Sequence, residues 1–265
     1  MNRAEIDGIS INYRLEGPDE GEVIMLSHSL ASTMGMWEDQ IASLTDAGFR
    51  VLGYDSRGHG RSDVPAGPYN IEMLALDAVA LINALGIEKV HFCGLSMGGM
   101  VGQLLGSKYQ NRISSLILSS TSAYMPPPHL WNERIESVRN GGMQTVADAT
   151  IDRWFTGIGK KKMSEKVGKV KNLILETSPQ GFCACCEAIR DMDLRGIIAG
   201  IKIPTLVIVG ALDPGTPVSA AQFIHERIPS SRLEVIKDAA HFVNVERSEE
   251  FNNLILNFLN NLHVS

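Results

Sequence analysis

The feature that most constrains the fold is a series of short apolar runs separated by segments with helical spacing. Such runs suit parallel strands that are covered on both faces of a sheet. The runs are VIML (23–26), VLGY (51–54), VHFCGL (90–95), ISSLIL (113–118) and IPTLVIVG (203–210). Between them, residues 74–85 and 251–262 repeat apolar side chains at helical spacing. Strands that alternate with helices predict an α/β fold with a mostly parallel, doubly wound sheet.

Both the beginning and the middle of the chain depart from this alternation. From Ile9 to Leu15 apolar and polar residues alternate after Asp7-Gly8, which predicts a β-hairpin. After Tyr124 come three prolines and then a long stretch with helical character, and the sheet pattern resumes only at Ile203. We therefore expect an α/β core formed by residues 1–124 and 197–265, with an all-helical lid, 125–196, inserted over the sheet edge where such folds bind ligands.

Charge and composition exclude several classes of partner. The 265 residues carry a formal net charge of −6, and the densest cationic run, KKKMSEK (160–166), is predicted to be a solvated helix face. We therefore expect neither nucleic acid nor a membrane surface as a partner. No apolar segment typical of a signal peptide opens the chain, and no run is long enough to span a bilayer. The sequence gives no indication of oligomeric state.

The cysteines predict a reducing compartment rather than a metal site. Cys93 stands alone, and the other three lie in CACC (183–186), which is too compact to join distant loops. CACC also lacks the second pair of ligands that a zinc site needs. We expect free thiols on a helix packing face and a cytoplasmic protein, without a metal.

GLSMGG (94–99) is the segment that carries chemistry. It lies between the apolar run 90–95 and a plausible helix, and this setting predicts a nucleophile elbow with Ser96 exposed on a strained turn. Gly94 and Gly98 would then be required because side chains at these positions would collide across the turn. A glycine-rich loop without chemistry would carry the same letters, but not this strand–turn–helix context.

A serine hydroxyl needs a base that removes its proton and an acid that orients the base. The histidines after Ser96 are His129, His225, His241 and His263. We predict His241 as the base because it follows the strand-like RLEVIKD in a loop before the last helix. We predict Asp213 as the acid because it follows the run that ends at Gly210. Asp191, Asp193 and Asp238 are the less favoured alternatives, and Asp238 more naturally shapes its own loop.

The tetrahedral intermediate of acyl transfer needs N–H donors for its oxyanion. We predict the N–H of Met97, directly after the nucleophile, and the N–H of Leu30 in the loop SHSLAST (27–33). His28, in the same loop, is expected to shape it by hydrogen bonding. His59, in YDSRGHGRSD (54–63), is a less favoured candidate for a catalytic role.

These motifs resemble those of the α/β-hydrolase superfamily over the whole chain. The matching segments are SHSL, DSRGHGRS, GLSMGG, GALD and AAHFVNVE. Within it, the sequence is most similar to bacterial 3-oxoadipate enol-lactonases, through LSHSL, GPYNIE, FCGLSMGG, DRWFT, CEAIRDMDLR and HFVNVE. One departure is Ala31, where that family often has glycine, and it is expected to narrow the mouth of the oxyanion loop.

The resemblance implies a serine hydrolase that opens 3-oxoadipate enol-lactone to 3-oxoadipate in the degradation of aromatic compounds, without metal or cofactor. The substrate would be a small anionic lactone or ester, so a cation is expected under the lid. Arg134 and Arg153 are the candidates for that cation. Trp131 and Trp154 are close to them in sequence and are expected either in the pocket wall or in the lid core.

Other activities fit the same motifs. A short-chain carboxylesterase of broad range, with perhydrolase side activity, would use the same residues, and a carbon–carbon bond hydrolase would need a larger pocket. A small-molecule receptor on this fold can keep the same residues but would turn over almost stoichiometrically. Dehalogenases and epoxide hydrolases are disfavoured because their nucleophile is an aspartate, and no HxHxDH cluster of a metal-dependent lactonase occurs.

Overall fold

The apolar runs form one eight-stranded sheet in the computed structural model, which describes residues 2–262. The strands are β1 (Asn2–Ile6), β2 (Ile9–Glu16), β3 (Val23–Ser27), β4 (Arg50–Tyr54), β5 (Val90–Leu95), β6 (Ile113–Ser119), β7 (Thr205–Gly210) and β8 (Ser231–Ile236). Their order in the sheet is β1-β2-β4-β3-β5-β6-β7-β8. The two antiparallel pairings both involve β2, which pairs with β1 and β4, and all the other pairings are parallel. The predicted α/β fold with a mostly parallel sheet is confirmed.

Helices follow most of the strands, as doubly wound topology requires. Those of the core are α1 (Glu38–Asp46), α2 (Ile71–Ala84), α3 (Met97–Lys108), and, after the lid, α9 (Val218–Arg227), α10 (Val243–Glu246) and α11 (Ser248–Leu262). Those between β6 and β7 are α4 (Pro128–Gly141), α5 (Gln144–Trp154), α6 (Gly157–Lys162), α7 (Ser164–Glu176) and α8 (Pro179–Asp191). The predicted helical insertion is therefore present. Its ends are joined by one antiparallel bridge between Tyr124 and Asp193, and the exact division of the chain at 124 and 197 stays a prediction.

The burial of the strands explains their apolar sequences. Every residue of β5 and of β7 is buried, since helices cover the central sheet on both faces. The hairpin at the edge is confirmed as well: Ile6 pairs with Ile9 across Asp7 and Gly8. Both turn residues have positive φ, 43° and 82°, which is the geometry of a tight two-residue turn that matches the twist of the strands.

Two segments of the lid, KKKMSEK and CACC, differ in their exposure to solvent. KKKMSEK does not lie on one helix, because α6 ends at Lys162 and α7 begins at Ser164. The prediction of a single helix face is therefore wrong, whereas the predicted exposure to solvent holds for most of the run. Cys183, Cys185 and Cys186 are free and buried on α8, as expected of a packing face. Among residues 2–262, no helix has the length and apolar character needed to cross a bilayer.

Candidate active site

Ser96 occupies a sharp turn between β5 and α3. Its φ and ψ are 57° and −113°, a strained combination for a residue with a side chain. The turn is held from two sides, since the N–H of Ser96 donates to the carbonyl of Ser119 (2.9 Å) and Thr121 Oγ1 donates to the carbonyl of Ser96 (2.8 Å). Ser96 is 9% exposed. The strained turn predicted for GLSMGG is confirmed, but the predicted exposure of Ser96 is not, because the residue is buried beneath the lid.

The glycines around Ser96 are required by close packing of the backbone. A Cβ on Gly94 would collide with the carbonyl of Gly98, across the turn as predicted. A Cβ on Gly98 would instead collide with the carbonyl of Ser27 on β3, and one on Gly99 would lie 2.6 Å from Cβ of Thr121. Two of the three glycines therefore let α3 approach β3 and the loop after β6, which a sequence pattern cannot show.

Asp213 and His241 meet at the carboxyl edge of the sheet, where β7 and β8 end. Asp213 Oδ2 lies 2.8 Å from Nδ1 of His241. The other donors to Asp213 come from its own loop: the N–H groups of Gly215 (2.8 Å) and Thr216 (3.0 Å), and the hydroxyl of Thr216 (2.7 Å). These bonds form a loop of the Asx type that presents the carboxylate to the imidazole. Thr216 was not predicted, although its place after Asp213-Pro214-Gly215 is typical of such a turn.

The environment of Asp213 favours its ionised form. Burial raises the pKa of this carboxyl, but the neighbouring His241 and the hydrogen bonds from His241 and Thr216 outweigh burial, so that the pKa lies below its ordinary value. A buried carboxylate that stays charged can orient an imidazole and stabilise the imidazolium.

The alternative acids are engaged elsewhere. Asp191 pairs with Arg190 (2.7 Å) and Asp193 with Arg195 (2.6 Å), both at the protein surface. Asp238 has a side chain that is 78% exposed and a positive φ of 52°, in agreement with the prediction that it shapes its own loop.

The other histidines lie away from Ser96 or outside the described residues. His129 is exposed at the start of α4, and His225 on α9 contacts Ser231 through Nδ1 (2.8 Å). His263 lies outside the described residues. Only His241 shares a cavity with Ser96 among the histidines of residues 2–262.

The loop after β3 places Leu30 in the wall of that cavity. Among the described residues, neither the N–H of Leu30 nor that of Met97 donates a hydrogen bond to another protein group. Met97 begins α3 and its side chain is buried in the core. Ala31, which also lines the cavity, has a φ of 58°, a conformation that favours the glycine expected at this position from the resemblance and that an alanine adopts only with strain.

Two buried histidines support this loop from behind. His28 contacts the carbonyl of Ser29 through Nδ1 (2.7 Å) and accepts the N–H of Ser56 at Nε2 (2.9 Å), as expected of a residue that shapes the loop. His59 accepts the N–H of Ala31 at Nε2 (3.1 Å). His59 does not line the cavity, so the alternative of a direct catalytic role for it is not supported.

The cavity lies between the sheet edge and the lid and encloses about 640 Å³, part of it open to solvent. Its sheet wall consists of Ser29, Leu30, Ala31, Ser96, Met100, Gly215, Thr216 and His241. Its lid wall consists of Met125, Trp131, Arg134, Thr150, Arg153, Trp154, Phe182 and Ile189. The structure thus brings the predicted substrate-binding residues Trp131, Arg134 and Trp154 to the same space as the predicted nucleophile.

The lid wall carries two positive charges that form no ion pair within the described residues. No carboxylate of residues 2–262 lies within ion-pair distance of Arg134 or Arg153. Arg134 lies over the ring of Trp131 (4.7 Å), and Arg153 donates to the hydroxyl of Thr150 (3.0 Å). Burial lowers the pKa of both guanidinium groups. At Arg153 the charge of Arg134 lowers the pKa further and the neighbouring carboxylate of Asp152 opposes this only in part, so that the pKa falls to about 10. Both remain charged at neutral pH and can bind an anion.

Trp154 belongs to both the lid and the support of His241. Its ring stacks on Phe242 with a centroid separation of 3.9 Å and lies 6.4 Å from the ring of His241. Its carbonyl accepts the N–H of Phe242 (2.9 Å). The two predicted roles, pocket wall and lid core, are therefore combined in one side chain.

Glu246 is a further residue that the sequence analysis missed. Its buried carboxylate accepts the N–H (2.9 Å) and hydroxyl (2.6 Å) of Thr156 at Oε1 and the N–H of Ala240 (2.8 Å) at Oε2. It thereby connects the corner between α5 and α6 to the loop that carries His241. The only signal was its place in HFVNVE, which is five residues after the histidine.

Comparison with known proteins agrees with this architecture. Residues 22–151 match the sequence profile of a family described as the α/β hydrolase fold. The chain is 38% identical over 247 residues to 3-oxoadipate enol-lactonase 2 of Acinetobacter baylyi, covering 93% of this chain and 92% of that protein. The chain belongs to the α/β-hydrolase family.

Solved structures of other α/β-hydrolases have nearly the same fold. An enol-lactonase from Burkholderia xenovorans superposes with a TM-score of 0.95 at 36% identity, covering 98% of this chain and all of that one. A thermophilic esterase from Thermogutta terrifontis, solved with malate bound, has a TM-score of 0.93 at 30% identity, covering 99% and 100%. This α/β-hydrolase is thus similar both to lactonases and to esterases. Residues 2–262 contain no cluster of three or more His, Cys, Asp or Glu side chains placed to hold a metal ion.

Proposed function

We propose that this hydrolase opens 3-oxoadipate enol-lactone to 3-oxoadipate through an acyl-enzyme, in the cytoplasmic degradation of aromatic compounds. The observation that carries the proposal is the pair of arginines that form no ion pair within residues 2–262, Arg134 and Arg153, in the wall of the cavity that also holds Ser96 and His241. The enol-lactone has one carbonyl for the serine and one carboxylate for the arginines. Similarity to two enol-lactonases supports the proposed activity. The free thiols of the cysteines support the proposed cytoplasmic location.

In the proposed mechanism, Ser96 Oγ attacks the lactone carbonyl while His241 Nε2 takes its proton. Asp213, bonded to Nδ1, holds the imidazole in the required tautomer and stabilises the imidazolium. The N–H groups of Leu30 and Met97 bind the oxyanion. Each such donor stabilises the transition state by about 3 kcal/mol.

Collapse of the tetrahedral intermediate breaks the ring C–O bond. The departing enolate takes the proton from His241 and becomes a ketone, so the leaving group is stable and stays attached through the acyl chain. Water then gives its proton to His241 and attacks the Ser96 ester, which releases 3-oxoadipate and restores the hydroxyl. The carboxylate of the substrate stays bound to Arg134 and Arg153 through both steps, which keeps the carbonyl in place at Ser96.

The test compares three substrates in steady state. They are the enol-lactone, the neutral enol-lactone in which a methyl group replaces the carboxymethyl arm, and 4-nitrophenyl acetate. We expect kcat/KM to be highest for the anionic enol-lactone and to exceed that of its neutral analogue by at least about 100-fold, since the analogue loses the charged hydrogen bonds to both arginines. Equal values for the two lactones would contradict the proposal, and a preference for the acetate ester would favour a short-chain carboxylesterase.

The esterase alternative is supported by the solved esterase that is 30% identical. It needs the same sheet wall and differs only in what the lid wall binds. A receptor on the same fold would show almost stoichiometric release of product with every one of these substrates, whereas an enzyme would show many turnovers.

A further inference from the structure

Two successive peptide groups of the oxyanion loop, SHSLAST (27–33), are each bonded to one histidine. The first links Ser29 to Leu30, so the carbonyl of Ser29 and the N–H of Leu30 point in opposite directions across one trans peptide plane. His28 Nδ1 lies 2.7 Å from this carbonyl. The bond fixes the direction of the Leu30 N–H and, by polarising the peptide, makes it a stronger donor.

The second peptide group links Leu30 to Ala31. Its N–H donates to Nε2 of His59 (3.1 Å), and Ala31 has the positive φ of 58° that a side chain disfavours. A residue keeps such a conformation only where its surroundings hold it. The Ala31 N–H donates to His59, and this hydrogen bond therefore holds the strained turn that directly follows Leu30.

The donors determine the protonation of both rings. A backbone N–H can only donate, so Nε2 of His28 and Nε2 of His59 are both unprotonated acceptors. The proton of each ring then lies on Nδ1, which faces the carbonyl of Ser29 in His28 and that of Arg57 (3.4 Å) in His59. A protonated Nε2 in either ring would place two N–H groups against each other.

The surroundings keep both rings neutral. His28 and His59 are fully buried and their ring centroids are 5.2 Å apart. Burial, followed by the neighbouring His28, lowers the pKa of His59 to about 3, and burial lowers the pKa of His28 as well. Sγ of Cys185 on α8, 4.0 Å from Nδ1 of His59, brings no charge to the ring.

We propose that His59 is a positioning residue for acyl transfer: its neutral, Nδ1-protonated imidazole holds the Ala31 N–H and so keeps the Leu30 N–H directed at the reacting carbonyl oxygen. This inference rests on the proposed function in one respect, the role of Leu30 as an oxyanion donor. His59 touches neither substrate nor Ser96, and it acts only through the loop.

The test uses His59→Gln, whose Oε1 can replace Nε2 as an acceptor, and His59→Leu, which has a similar size and no acceptor. With 4-nitrophenyl acetate we expect kcat of the leucine variant to fall about 10- to 100-fold with little change in KM, which is less than the loss of a whole oxyanion donor. The glutamine variant should recover most of this loss. Phenylboronic acid, whose tetrahedral adduct occupies the oxyanion position, should bind the leucine variant more weakly by the same factor.

The matched control is His91→Gln, a substitution at a buried histidine on β5 whose ring contacts Ser115 and lies near Glu22 and Phe49. It should leave kcat within about twofold. Equal loss of kcat in the glutamine and leucine variants of His59, or no loss in either, would overturn the proposal. Because the assay uses a simple ester, its result does not depend on whether the enol-lactone is the substrate. The proposed lactonase activity and the role of His59 can therefore fail independently.

A measurement on the unaltered protein covers the case in which His59→Leu does not fold. With ¹⁵N-labelled histidine, the NMR signals of His59 and His28 should show protonated Nδ1 and unprotonated Nε2, with no titration between pH 5 and 9. An Nε2-protonated or charged ring at His59 in this range would contradict the inference.

Discussion

On the sheet wall the Asp213–His241 pair and the turn of Ser96 are held by hydrogen bonds within the protein, whereas on the lid wall neither arginine forms an ion pair within residues 2–262. Asp213 accepts four hydrogen bonds, and the strained turn of Ser96 is held by bonds to β6 and the loop after it. Arg134 and Arg153 contact an aromatic ring and a hydroxyl. The Asp213–His241 pair and the strained turn are thus in place before substrate arrives, whereas the N–H groups of Leu30 and Met97 and the two arginines would gain an anionic partner only with substrate bound.

The largest effect is expected at the nucleophile. Ser96→Ala should lower kcat on every substrate by at least about 10⁴-fold, because it removes the hydroxyl on which the proposed acyl-enzyme forms. The assay is hydrolysis of 4-nitrophenyl acetate, with circular dichroism to show that the fold is retained. Substantial residual hydrolysis by the folded variant would show that the sheet wall does not supply the nucleophile.

The next effect separates Asp213 from its nearest rival. Asp213→Asn should reduce kcat by about 10⁴-fold, since a neutral amide no longer selects the imidazole tautomer. Asp238→Asn is the matched control: it changes an exposed carboxylate three residues before His241 and should leave kcat within about twofold. A larger loss in the control than at Asp213 would transfer the role of the acid to Asp238.

The arginines test the lid wall alone. Arg134→Gln and Arg153→Gln should each raise KM for the anionic enol-lactone by about 10- to 100-fold, as expected for lost hydrogen bonds to a charged group. Both should leave 4-nitrophenyl acetate almost unaffected. Arg139→Gln provides the control, because Arg139 is an exposed lid residue paired with Glu187. Parallel losses on both substrates would mean that the two walls are not separate in function.

The smallest effect concerns the connection between the walls. Glu246→Gln would turn an amide N–H toward the N–H of Thr156 or Ala240, and we expect a loss of about 1–3 kcal/mol in the free energy of unfolding. A fall of kcat by a few fold should accompany it as the His241 loop loosens. Glu249→Gln, at an exposed carboxylate at the start of α11, is the control for both urea denaturation and kinetics. Unchanged stability in Glu246→Gln would argue against this connection.

The same difference between the walls explains what the sequence could predict. The sheet wall is built from segments that follow strands directly, so Ser96, Asp213, His241 and Leu30 could be located from apolar runs and local motifs. The central strands were found because both faces of the sheet are buried there. Gly98 could be recognised as necessary, but not its contact with Ser27, since the two are distant in the sequence.

The lid wall depends on how separate helices pack. Helical periodicity indicates that α4 and α5 are amphipathic, but not that Arg134 and Arg153 come close enough for one charge to affect the pKa of the other. Glu246 and Thr156 are ninety residues apart, and nothing in either local sequence predicts their contact. The break between α6 and α7 was missed because lysines and glutamates suit the interior of a helix as well as its ends.

The stacking of Trp154 on Phe242, together with the bonds of Glu246, has a consequence for protein engineering. Exchange of the lid between relatives is an obvious route to new specificity, because the lid wall determines which acyl group is accepted. Here the transplanted segment would also remove the support of the loop that carries the base. A functional chimera would therefore need to retain the corner from Trp154 to Thr156 and exchange only the helices around it.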